Sequence, residues 1–188
     1  VKPRRGEIMF GLNLIVHKGK SIFVGDTSVH EYPNAKQLSE IAISAARVVK
    51  LFGFDPKVAF VSHSTFGQPL TSRTKHIKDA VEILKDKKVD FEFDGDMQPD
   101  VALDEEYKSL YPFSEIVGSA NILIMPGQHS AAISYKMMKS FGDSKVIGPL
   151  LIGLGLPIEI APLRSSTSEI INLASIAAYS ADIIDYKK

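Results

Sequence analysis

Val58-Ala59-Phe60-Val61-Ser62-His63-Ser64-Thr65-Phe66-Gly67 is the stretch that decides the fold. Its first four residues are apolar without a break, the pattern of a short strand buried on both faces of a parallel sheet. A loop of hydroxyl-bearing residues follows and closes on a glycine. Residues 72–85 then carry Ile77, Ala80, Val81 and Leu84 at helical spacing. Strand, polar loop and amphipathic helix make the first half of a βαβ unit.

The same alternation continues in both directions. Downstream, residues 91–93 read as a strand leading into Asp94-Gly95-Asp96, and residues 121–125 as a strand leading into Pro126-Gly127. A helix over 130–141, strands over 146–151 and 157–160, and a last helix over 166–184 complete that side. Upstream, residues 12–16 and 21–24 form a hairpin about Lys18-Gly19-Lys20. Asn34 caps a helix over 35–52 that Gly53 ends. Together these elements predict an α/β fold: three layers, a mainly parallel sheet and helices on both faces. One organisational break, near residues 53–55, separates the hairpin and its helix from the βαβ block.

Composition narrows the chemistry. The 188 residues hold 22 basic and 22 acidic side chains, a formal net charge of zero, so no field for a nucleic acid partner follows. The absence of cysteine excludes disulfides, thiolate nucleophiles and Cys-based zinc sites. A membrane helix needs an apolar run of about 18 residues. The longest candidate, residues 146–160, is broken by Gly148, Pro149, Gly153, Gly155 and Pro157. The chain opens on Val1 and the basic Lys2-Pro3-Arg4-Arg5, without a secretory apolar segment. It reads as a piece of a longer cytoplasmic protein with no membrane partner.

Ligands of such sheets bind beyond the carboxyl ends of the strands. The loop with Ser62, Ser64, Thr65 and Gly67 offers hydroxyls and backbone N–H groups to an anion, although it lacks the Gly-Lys-Ser/Thr ending of a P-loop. A plain connecting loop is the alternative. Arg164, Ser165 and Ser166, just before the last helix, form a second anion candidate, with an exposed arginine and Ser166 as helix cap as its alternative. Asp94, Asp96, Asp100 and Asp104 read as a solvated turn and a helix cap rather than a metal site. Gly153-Leu154-Gly155 lacks the third glycine of a dinucleotide fingerprint, and the five histidines form no His-x-x-x-His pair.

Five segments carry a resemblance: 58–65 (VAFVSHST), 93–103 (FDGDMQPDVAL), 120–126 (ANILIMP), 133–136 (ISYK) and 147–154 (IGPLLIGL). In order and spacing they resemble the phosphate acetyl/butyryltransferase family along nearly the whole chain. That resemblance implies two α/β lobes of isocitrate-dehydrogenase type around a cleft for coenzyme A and acyl phosphate. It also implies that the N-terminal part of the family domain is missing here. Residues 1–53 would belong to the second, dimer-forming lobe and 54–188 to the C-terminal half of the first, so a homo-oligomer is expected.

Segments 26–30 (DTSVH), 56–67 (PKVAFVSHSTFG) and 121–126 (NILIMP) are more similar to the domain fused behind NADP-dependent malic enzymes. The implied whole protein converts malate to pyruvate and CO2, with NADP and a divalent metal held in a catalytic region of the same chain outside these residues. This portion would hold no cofactor or metal of its own and would bind acetyl-CoA or CoA as a regulatory and oligomerisation module.

Three departures from the family pattern imply degenerate transferase chemistry. A Ser-Thr-Lys-Gly-Ser stretch here reads Ser64-Thr65-Phe66-Gly67. A Leu-Ser-Arg-Gly motif reads Ala161-Pro162-Leu163-Arg164, with the following acid at Glu169, and Leu-Gln-Gly-Leu reads Leu151-Ile152-Gly153-Leu154. The alternative is an active phosphate acetyltransferase, in which Arg164 neutralises phosphate and Glu169 acts as base or orients Arg164. Both require the turn at 161–166 to share a cleft with the loop at 62–67. A purely structural reading has the hairpin at 12–24 pairing across a two-fold axis.

Overall fold

The computed structural model describes residues 2–183. β1 (Phe10–His17) and β2 (Lys20–Gly25) form the expected hairpin. Lys18 and Gly19, at φ 47° and 78°, make its turn, the left-handed pair that matches the twist of the flanking strands. α1 (Ala35–Leu51) begins at a capping box. The Asn34 side chain accepts from the Gln37 N–H, and the Gln37 side chain returns the bond to the Asn34 N–H. β3 (Lys57–Val61) and α2 (Ser72–Lys87) follow, α2 being boxed by Thr71 and Thr74 and ended by Lys88 in the left-handed region. Then come β4 (Glu92–Met97), α3 (Pro99–Leu103), α4 (Glu105–Lys108), β5 (Ile122–Ile124), α5 (Gln128–Phe141), β6 (Lys145–Ile152) and α6 (Thr167–Ile183). The expected end of the last helix, Ile184, lies outside the described residues.

All six strands join one mixed sheet in the order β4-β3-β5-β2-β1-β6. β4, β3, β5 and β2 run parallel, and β1 is antiparallel to both of its neighbours, so β6 points the same way as β2. Alternate strand residues face opposite layers. Phe23, Phe60 and Ile122 pack with α1, α2 and Leu173 of α6. Val24, Ala59, Val61 and Leu123 pack with Ala131 of α5 and Val101 of α3. The apolar periodicity of α1 is spent on the first of these layers, where Leu38, Ile41, Ala45 and Val49 are each at most 1% exposed.

Three elements differ from the sequence reading. First, the hairpin and the βαβ block share this sheet, because β2 pairs with β5 through Phe23↔Ile122 and Gly25↔Ile124. Residues 53–55 are therefore no break in the sheet. Both strands of the hairpin are also interior, flanked by β5 and β6, so neither is free to pair across a two-fold axis. Second, residues 157–160 form no strand and contribute a single bridge, Leu150↔Glu159. Leu156 and Ile160, 55% and 48% exposed, have no further strand to pack on. Third, β4 extends through the polar Asp94 and Asp96, and two short helices follow it. Pro99 starts α3, and Asp104 caps α4 by accepting from the Glu106 N–H at 2.8 Å.

Candidate functional site

The loop at 62–67 leaves the carboxyl end of β3, as the sequence implied. Its polar groups turn inward. Ser62, Ser64 and Thr65 are buried, whereas His63 is exposed. The Ser64 hydroxyl donates to Asp96 Oδ2, the Gly67 N–H donates to Asp96 Oδ1 at 2.9 Å, and the Phe66 N–H donates to the Asp96 carbonyl at 2.6 Å. Ser62 Oγ lies 3.2 Å from Ser64 Oγ, and Thr65 Oγ1 accepts from the Gln98 N–H at 3.2 Å. The loop's strongest donors are thus spent on a buried carboxylate, 2% exposed. That carboxylate already supplies the negative charge a bound anion would bring. Phe66, at φ 49°, sets its ring against Phe113 and Tyr111, with centroids 4.8 and 5.5 Å away.

The neighbouring aspartates are structural. Asp94 accepts from the Gly95 N–H at 2.9 Å and the Glu115 N–H at 2.8 Å, and Asp100 from the Val101 N–H at 3.0 Å. Among the described residues no group of three or more His, Asp or Glu side chains is placed to hold a metal ion.

One anchor at the carboxyl edge went unread in the sequence. Asp26, 1% exposed, follows β2. Its Oδ1 accepts from the N–H groups of Gly11, Ser28 and Val29, at 2.8, 2.8 and 3.1 Å. Its Oδ2 accepts from the His30 N–H at 2.8 Å and lies 2.7 Å from His30 Nδ1. The available signal was Asp-Thr-Ser directly after a strand, an Asx-turn pattern.

The second candidate region lies elsewhere. Pro162 and Ser165 share a small cavity with Tyr135 and Lys139 of α5, and with Val146, Ile147 and Gly148 in the first half of β6. β3 and β6 point the same way, with β5, β2 and β1 between them. The turn at 161–166 and the loop at 62–67 therefore sit at opposite ends of the sheet and share no cleft among the described residues. Arg164 is exposed. Ser166 caps α6: its Oγ accepts from the Glu169 N–H at 3.2 Å, and its own N–H donates to Glu169 Oε2 at 2.7 Å. Glu169 also takes Lys139 Nζ at 2.9 Å. The Ser166 N–H first, then the Lys139 and Ser166 side-chain bonds, hold its carboxyl down at about 2.

A second carboxyl went unread. Glu159 accepts from the Leu151 N–H at 3.3 Å. Its burial pushes it up to about 7, against the smaller opposing effect of that bond. It lines a cavity of about 350 Å³ between α1, β6 and α6.

This arrangement has known counterparts. The family described as phosphate acetyl/butaryl transferase matches residues 1–178. An NADP-dependent malic enzyme of Rhizobium meliloti is 43% identical over 181 residues, which cover 96% of this chain and 24% of that protein. A phosphate acetyltransferase of Bacillus subtilis is 33% identical over 183 residues, covering 96% of this chain and 57% of that protein. Among solved structures, a phosphotransacetylase from Streptococcus pyogenes superposes with a TM-score of 0.90 at 31% identity. That superposition covers 97% of this chain and 56% of the other. The chain thus spans about a quarter of this malic enzyme and a little over half of these transacetylases.

Proposed function

The chain belongs to the phosphate acetyl/butaryl transferase family, and from that premise we propose that it serves as the phosphotransacetylase-like domain of a larger NADP-dependent malic enzyme. In this reading the whole protein turns malate into pyruvate and CO2. NADP and a divalent metal belong to a catalytic region outside these residues. The present domain binds an acyl-CoA, acetyl-CoA foremost, and shifts the output of that region. The 43% identity to the Rhizobium meliloti malic enzyme supports the parentage.

The observation that carries the non-catalytic reading is the fate of Glu169. A general base works best with a proton affinity near the working pH. Glu169 is instead tied into the cap of α6 and an ion pair with Lys139, at about 2. The distance of Arg164 from the 62–67 loop points the same way. A cation that misses the place where charge develops contributes little to the rate. The cleft shared with the 62–67 loop, which the sequence reading required for acyl-CoA, is absent among the described residues. The contacts proposed for the phosphates of an acyl-CoA are therefore narrowed to Arg164 and Ser165 alone, at the amino end of α6. Exposed Ile133, Met137 and Phe141, four residues apart along α5, support a contact between copies.

An effector acts only through different affinities for two states of the enzyme. The test is to titrate acetyl-CoA into the full-length protein while following NADP-dependent malate turnover. A change in turnover that Arg164→Ala weakens is expected. Unchanged turnover with acetyl-CoA bound to saturation removes the regulatory role, and acetyl-phosphate-dependent growth of thioester absorbance restores the transferase.

A further inference from the structure

We propose that the groove between α1, β6 and α6 is a binding site for a small aliphatic monocarboxylate, with its carboxylate on Arg47 and its chain along the apolar walls. The groove measures about 350 Å³, within the range of small-molecule sites and enough for a chain of about eight carbons. Leu51 and Phe52 line it from the end of α1 and just beyond, Ile152 from β6 and Ile176 from α6. Arg4, Glu7, Arg47 and Glu159 also line the groove, and the four apolar side chains are the wall along which a chain would lie. That wall favours an alkyl chain over a sugar or a nucleotide base.

The head-group assignment rests on donor capacity. The Arg47 side chain is 53% exposed and spends one terminal nitrogen on Glu7 Oε1, at 3.1 Å. A guanidinium carries five N–H donors in a planar fork that matches a carboxylate. Arg47 therefore retains an edge for a second carboxylate at the groove's rim. Of the two carboxyls in the lining, Glu7 is paired with Arg47 and Arg4, and Glu159 is pushed up to about 7 by burial, so Glu159 adds little negative charge below neutrality. This site uses none of the residues proposed for acyl-CoA, and it stands or falls independently of that reading.

The test is isothermal titration calorimetry of octanoate into the 188-residue chain at pH 6.5, with octan-1-ol as the uncharged comparator and Arg47→Gln as the variant. Octanoate is expected to bind one site per chain. The alcohol and the variant are each expected to lose about tenfold in affinity, the scale of one charge-assisted pair. Ile176→Trp, which fills the groove, is expected to abolish the heat while circular dichroism remains that of the parent. Absence of binding overturns the proposal. So does equal affinity for octanoate and octanol, or an Arg47→Gln chain that binds as tightly as the parent. Should Ile176→Trp fail to fold, the comparator and Arg47→Gln decide the question.

Discussion

The Gly67 N–H meets Asp96 Oδ1 at 2.9 Å, and this bond joins the loop after β3 to the end of β4. It explains why a loop with the composition of an anion cradle is closed. The carboxylate that occupies it belongs to the fold.

Asp96→Ala removes the acceptor of the half-buried Gly67 N–H and leaves the buried Ser64 hydroxyl only the Ser62 hydroxyl, at 3.2 Å. Unpaired buried donors of this kind cost about 1–3 kcal/mol each. The loss for the pair is expected at about 2–4 kcal/mol, read as a fall in the urea midpoint at unchanged slope. A loss below about 0.5 kcal/mol, the scale of an ordinary surface change, contradicts the structural role.

Asp26 holds four backbone N–H groups and faces the His30 ring. Asp26→Ala is expected to be more damaging than Asp96→Ala, at about 3–5 kcal/mol, because more donors lose their partner. Faster amide exchange at Gly11, Ser28, Val29 and His30 in the surviving folded protein is the local signature to measure.

Glu159 makes stability fall as pH rises. Its folded carboxyl is raised to about 7 from an ordinary 4.5, so the folded state holds a proton the unfolded chain has released. Relative to acid, the loss begins near 4.5, grows through the window and levels off above 7. The measurement is the urea midpoint of parent and Glu159→Gln between pH 4.5 and 8. The parent is expected to lose stability relative to the variant across that window. Parallel curves refute the assignment.

The α6 cap predicts a local effect. Ser166→Ala removes the acceptor of the Glu169 N–H and one of the three bonds that hold the Glu169 carboxyl down. Hydrogen exchange in the first turn of α6 is expected to accelerate. The Glu169 titration followed by NMR is expected to move up toward the ordinary carboxylate range. Exchange in α1, with its own capping box at Asn34, is expected to stay unchanged.

The sequence alone determined most of the succession of elements, the strand expected at 157–160 and the short helices α3 and α4 excepted, because apolar spacing, caps and turn residues act within a few positions. Val58 to Val61 reads as a buried strand wherever it sits, and Asn34 caps its helix without help from the rest of the chain. Family kinship was legible for the same reason, in segments that each occupy a short run. What only the tertiary structure decided is which strands become neighbours and which polar groups pair. The hairpin's central place depends on Phe23 meeting Ile122, and the closure of the 62–67 loop depends on an aspartate 29 residues beyond Gly67. The separation of Arg164 from that loop follows from strand order, with three strands between β3 and β6. Such choices are settled by burial and hydrogen bonding between residues far apart in the chain, which no local pattern encodes.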